Sequence, residues 1–223
     1  MYRVILGFSI SLFALAGCVS FGPVSQKSIK GNGDIISQTR EVGDFTELRV
    51  TGARSTIVYG DRNGPIRITG DSNILEHTSS YVENGTLVIT TASNASLSPT
   101  QRVEIEVPST SLDYIRVSGS NRINIKNIDR SSFTIRGSGS TTIEADGYAD
   151  DLQVRMSGSS RIDASGLIAE TVAIRTSGSS KAEIYASERL KSRSSGSSRI
   201  MVHGHPKKIT NQSSGSSFLR SVR

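Results

Sequence analysis

The sequence predicts an all-β protein: a β-solenoid of single-stranded, β-helix-like coils, preceded by an irregular β part. Three observations predict it. First, Ser-Gly-Ser recurs with its glycine at Gly119, Gly139, Gly158, Gly178, Gly196 and Gly215, a spacing of 18 to 20 residues. A fixed period of this size is the mark of a repeat architecture. Second, apolar residues fall at even offsets from that glycine, as at Ile115, Ile135, Val154 and Ile174 four places before it, and Ile123, Ile143, Ile162 and Ile200 four places after. Odd offsets are mostly polar, so one face of each segment is buried and the other is wet. Third, helix signals are nearly absent after residue 20, and no later stretch is apolar enough to span a membrane.

Each repeat reads as a strand, a Ser-Gly-Ser corner, a second strand and a return turn. One unit cannot bury its inner face alone, so successive units stack into a continuous core. Stacking about 4.8 Å apart lays equivalent side chains over one another as ladders. Glycine suits a corner where a side chain would clash or φ must be positive, and the serines satisfy the backbone groups that a corner leaves unpaired. The alternative is a β-sandwich with repetitive turns, whose strands rarely keep so uniform a period.

Along the chain, residues 1–17 read as a lipoprotein signal peptide. Arg3 is its positive start, Val4 to Leu15 its apolar run, and Leu15-Ala16-Gly17-Cys18 resembles the bacterial lipobox. Cys18 is the predicted lipid attachment point. It is the only cysteine, so an intramolecular disulfide is impossible. Val19 is not the aspartate of an inner-membrane retention signal, which favours the outer membrane. Residues 18–40 read as a tether, with a strand beginning between Gly31 and Ile36. Residues 41–110 read as irregular coils or a β-roll that caps the solenoid, and 111–223 as the Ser-Gly-Ser solenoid itself. Within the cap, Asn84-Gly85 between Tyr81-Val82 and Leu87-Val88 is a hairpin signature. Val103, Ile105 and Val107 alternate as a strand that Pro108 ends.

Several of these segments carry a resemblance. They are Gly43-Asp44-Phe45, Leu48-Arg49-Val50 with Gly52, Gly70 to Leu75, Gly85 to Ile89, Val107-Pro108 before Leu112, the Ser-Gly-Ser ladder, and His203-Gly204-His205-Pro206-Lys207. Together, over residues 41–223, they resemble the bacterial family called putative auto-transporter adhesin, head GIN domain. The resemblance implies a β-helix-like domain on exported or lipid-anchored envelope proteins. It implies no functional residues.

Catalysis finds little support. His203 and His205 flank Gly204 without a third metal ligand nearby, so no metal or other cofactor is expected. No serine sits in a Gly-x-Ser-x-Gly elbow. Glu144, Asp163 and Glu183 share one offset, as paired carboxylates of a glycan-cleaving enzyme would. Yet Arg161 and Lys181 stand two residues before the last two of them as ion partners.

Charge is more informative. The chain carries 26 Lys and Arg against 20 Asp and Glu, net +6. Three places before the glycine sit Arg116, Arg136, Arg155, Arg175 and Arg193. Three places after it sit Arg122, Arg161, Lys181 and Arg199, with Thr142 interrupting. Odd offsets point outward, so two basic ladders should flank the corner. The first has no acidic neighbour at the position two before it, where Tyr114, Thr134, Gln153, Ala173 and Lys191 lie. It is the candidate anion-binding row, unless its heads pair internally.

The sequence therefore predicts a non-enzymatic, lipid-anchored, adhesin-like protein of the cell envelope. Its expected partners are the membrane, through the lipid, and an anionic glycan or envelope protein. Nucleic acid is disfavoured by export. The alternatives are a β-helix enzyme acting on polysaccharide, and a structural or regulatory periplasmic module.

Overall fold

The computed structural model describes residues 27–60, 64–91, 95–108 and 112–222. The signal segment, Cys18 and the first residues of the expected tether lie outside them. The fold is all-β, with one short helix, and its 15-stranded sheet is open rather than closed into a barrel.

The N-terminal elements are β1 (Lys27–Lys30), β2 (Ile35–Arg40), β3 (Glu47–Tyr59) and β4 (Ile66–Asp71), then α1 (Ser72–Leu75). β5 (Thr78–Glu83) and β6 (Thr86–Thr91) follow, then β7 (Ala95–Ser98) and β8 (Val103–Val107). Residues 27–40, expected as the end of a tether, are thus strands. β1 pairs with β7 in parallel, and β2 pairs with β4 antiparallel from Ile35↔Asp71 to Arg40↔Ile66. The strand start expected between Gly31 and Ile36 is there, since β2 begins at Ile35, and residues 31–34 form the bend that separates it from β1. The fully buried Asp71 carboxylate holds this bend, accepting from the Gly33 N–H at 2.8 Å and the Thr100 hydroxyl at 2.7 Å. The Asn84-Gly85 turn is a hairpin, as its sequence predicts. β5 and β6 are antiparallel, and both turn residues have positive φ, 49° and 72°.

The repeat region begins with β9 (Tyr114–Gly139) and β10 (Thr142–Met156). It continues through β11 (Arg161–Ala164), β12 (Leu167–Thr176), β13 (Lys181–Tyr185) and β14 (Arg189–Ser194). β15 (Arg199–His203), β16 (Lys208–Ser213) and β17 (Phe218–Ser221) end it. Every pairing among these strands is parallel and joins residues one repeat apart. Ile143 pairs with Ile123 on one side and Ile162 on the other, and Ile162 in turn with Ala182. All four are fully buried. Alternation within each strand therefore becomes a continuous apolar ladder between strands, and one connected core runs from Phe45 to Val202.

The regular pattern starts earlier than the Ser-Gly-Ser motif does. β3 pairs in parallel with β9 over both halves, from Glu47↔Tyr114 to Tyr59↔Ile125, so Thr51-Gly52-Ala53 lies against Ser118-Gly119-Ser120. β6 and β8 add a further layer, parallel to the first and second halves of β3. The antiparallel strands β2, β4 and β5 cover its edge, as an open strand edge requires. At the other end the inner ladders turn polar: Ile174 pairs with Ser192, then Asn211, and Val202 with Ser221.

Candidate functional site

The corners position the candidate site. At Gly139, Gly158, Gly178 and Gly196 φ lies between +77° and +85°, and a Cβ would fall 2.6–2.7 Å from the carbonyl oxygen of the preceding glycine. Positive φ and close approach therefore both demand glycine at these positions. The residue two after each corner glycine from Gly119 to Gly196 is buried and polar: Asn121, Thr141, Ser160, Ser180 and Ser198. Ser160 Oγ donates to the Ser157 carbonyl at 2.8 Å and to the Gly139 carbonyl at 3.4 Å. Asn121 does the same with its amide, to Ser118 at 2.9 Å and Gly52 at 3.1 Å. These bonds fix each corner on the one before it, and hence the register of everything that flanks it.

The predicted arginine row is assembled by this register. Arg136 pairs with Arg155, Arg155 with Arg175, and Arg175 with Arg193. They line one open groove of about 500 Å³ together with Arg116. The structure adds a sixth arginine, since Arg49 on β3 is in register with Arg116 and is exposed. Counting periods misses Arg49 because 67 residues separate it from Arg116. The signal that finds it is local: Leu48-Arg49-Val50-Thr51-Gly52 repeats the chemistry of Ile115-Arg116-Val117-Ser118-Gly119.

No arginine of the row has a carboxylate partner among the described residues. Arg136 stacks over the Tyr114 ring at 5.3 Å, and its Nε is buried without a hydrogen-bond partner. Arg193 Nε donates to Gln212 Oε1 at 2.9 Å. The adjoining column runs from Glu47 through Tyr114 to Gln153, Ala173 and Lys191, which adds another cation. Its one carboxylate, Glu47, accepts from the Thr86 hydroxyl at 3.2 Å.

The second basic column differs. Arg122, Thr142, Arg161, Lys181 and Arg199 are in register beside the column of Asn124, Glu144, Asp163, Glu183 and Met201. Lys181 pairs with Glu183 at 2.8 Å, and Arg199 lies 5.0 Å from the Phe218 ring centre. The partnership expected between Arg161 and Asp163 does not form. Asp163 Oδ1 instead accepts from the Ser165 hydroxyl at 2.7 Å, because the turn after β11 brings Ser165 closer. Asp163 and Glu183 are thus committed to their neighbours, and the carboxylate column lies outside the arginine groove. His203 Nε2 stands 3.9 Å from Glu183. Among the described residues no group of His, Cys, Asp and Glu is placed to hold a metal. Acidic charge gathers elsewhere too: hydrogen bonds to Asp150 and then Glu170 push the Tyr148 phenol up to about 12.

Similar solved structures share this architecture. A putative adhesin from Bacteroides fragilis has a TM-score of 0.72 at 17% identity, covering 87% of this chain and 100% of that one. A putative lipid binding protein from Parabacteroides distasonis has a TM-score of 0.60 at 21% identity, over 88% and 100%. A putative adhesin from Parabacteroides merdae has a TM-score of 0.55 at 15% identity, over 88% and 100%. At these identities the likeness is one of fold. No curated protein matches the chain. The family described as "Putative auto-transporter adhesin, head GIN domain" matches residues 44–206, the span that holds β3 to β8 and most of the repeats, and the chain belongs to this family.

Proposed function

We propose that this is a non-enzymatic cell-envelope protein, held by a lipid on Cys18, whose stacked repeats form a β-solenoid presenting the arginine row to an anionic envelope polymer. The row itself carries the reading. Neighbouring guanidiniums about 4.8 Å apart repel by about 1 kcal/mol per pair even in bulk water. Packing needs only the inner face, so the row gains nothing from its arrangement until something neutralises it. Arginine offers a planar fork for carboxylate, sulfate or phosphate, and a straight row of forks suits an extended ligand. The uniform parallel register supports the solenoid. The family description and the lone cysteine after an apolar run support an address in the envelope. Val19 favours its outer membrane.

Changing Arg136, Arg155 and Arg175 together to Gln is expected to leave the unfolding midpoint unchanged or slightly raised. Retention on a polyanion at low salt should weaken roughly 100-fold, from about 1 kcal/mol per arginine. A variant that unfolds, beside a wild type that retains no polyanion, would make the row structural. For the anchor, Cys18→Ser is expected to abolish labelling by a radioactive fatty acid in cells. Equal labelling of the variant would remove Cys18 from the account.

A further inference from the structure

Resting on the reading of the arginine row as an anion site, we infer that its ligand is an acidic polysaccharide, whose hydroxyls are read by the serines across the groove. Ser138, Ser157, Ser177 and Ser195 line the groove with the arginines. Their hydroxyls have no partner among the described residues. The serines three places further on are different: Ser160, Ser180 and Ser198 each donate to the carbonyl of the corner serine in their own repeat, at 2.8–3.1 Å. The corner serines are therefore not needed as caps through their side chains, yet they recur in register with the row.

Between the two columns the groove floor is apolar toward Val117 and Met156 and polar toward Thr176 and Ser194. Val117 and Met156 line it, and the Met156 thioether fills the space left at Gly137, where a Cβ would lie 2.8 Å from Met156 Cε. Thr176 also lines it, 4% exposed, with an Oγ1 that has no partner. The repeats of Arg136, Arg155, Arg175 and Arg193 thus each offer a guanidinium and a free corner hydroxyl, over a floor that is apolar at Met156, across a groove of small-ligand size. An acidic polysaccharide presents the complement along its length: acid groups, C–H faces and hydroxyls that both donate and accept. A polyphosphate offers charge alone. A membrane surface is flat and would meet the guanidinium tips, leaving the half-buried Ser138, Ser157 and Ser177 unused.

The test uses the purified full-length protein in titration calorimetry at low salt. The probes are polygalacturonate, long-chain polyphosphate, neutral dextran and phosphatidylglycerol vesicles. Polygalacturonate is expected to bind more tightly per charge than polyphosphate or vesicles, and dextran not to bind. Ser157→Val with Ser177→Val should weaken polygalacturonate about tenfold, the loss of two neutral hydrogen bonds, and leave polyphosphate unchanged. Ser157→Ala with Ser177→Ala should do the same, separating lost hydroxyls from altered packing. Equal weakening of both polymers, no weakening of either, or tighter binding of polyphosphate or vesicles would overturn the saccharide assignment while leaving the arginine row as an anion site. Binding to none of the four would overturn both.

Discussion

Ile162→Asp is expected to abolish the cooperative unfolding transition of the whole chain, or to lower its unfolding free energy by several kcal/mol and its urea midpoint with it. Ile162 is fully buried, packed in register between Ile143 and Ala182, and no cation or polar group of the inner ladder lies beside it there. An aspartate at that place is a buried charge without a partner, among the most damaging of single changes. The inner face is shared by all repeats, so the damage spreads beyond β11. Ser160→Asn is the matched comparison, only two residues away. Asn121 already makes the two corner bonds that Ser160 makes. This change should cost under about 1.5 kcal/mol, the range of a tolerated core replacement. An unchanged midpoint in Ile162→Asp would mean that the register is wrong.

Gly158→Ala is expected to cost about 2–4 kcal/mol, the sum of a strained backbone and a clash. Its φ is +78°, and the new Cβ would sit 2.6 Å from the Gly139 carbonyl oxygen. That oxygen also accepts the Ser159 N–H at 2.8 Å, so pushing it away breaks a bond between repeats. Gly33→Ala separates the two causes. Gly33 has nearly the same φ, +80°, but nothing lies within 4 Å of its Cβ position. It should lose only the conformational part, about 1 kcal/mol. Urea denaturation followed by circular dichroism measures both variants. Equal losses would show that contact between successive corners contributes nothing.

What was legible in the sequence, and what was not, follows from distance along the chain. The alternation at Ile143, Ile162 and Ile200 and the Ser-Gly-Ser period are local patterns repeated at short range, and they predict the parallel ladders directly. The Asn84-Gly85 hairpin is local as well. Arg49 and Thr51-Gly52 belong to the same ladders, but β4 to β8 intervene before the chain returns, so no period reveals them. The layer made by β6 and β8 carries no corner glycine and is interrupted by β7, which hides it from any repeat search. The pairing of β1 with β7 depends on contacts nearly 70 residues apart, and nothing in Lys27–Lys30 announces it. For the candidate site, the five arginines were legible because outward positions follow from the alternation. The groove was not, because it depends on Gly137 and on where the Met156 side chain turns. Nor was the loss of the Arg161–Asp163 pair, which a turn residue decides.

In the proposed reading the row without carboxylate partners, and not basic charge in general, holds the anionic ligand. The salt dependence of binding tests it most directly. Each cation that neutralises a fixed anion releases a counterion, so the logarithm of the binding constant falls with the logarithm of salt in proportion to the contacts made, by roughly 0.7–0.9 per contact for nucleic acid polyanions. Measured with polygalacturonate, the slope of the wild type should exceed that of the Arg136→Gln, Arg155→Gln, Arg175→Gln variant by roughly two to three units. Changing Arg122, Arg161 and Arg199 to Gln removes the same charge from the second basic column, which stands beside the carboxylates, and should alter the slope by less than one unit. Equal loss of slope in the two triple variants would contradict the account, because any three surface cations would then serve as well as the row.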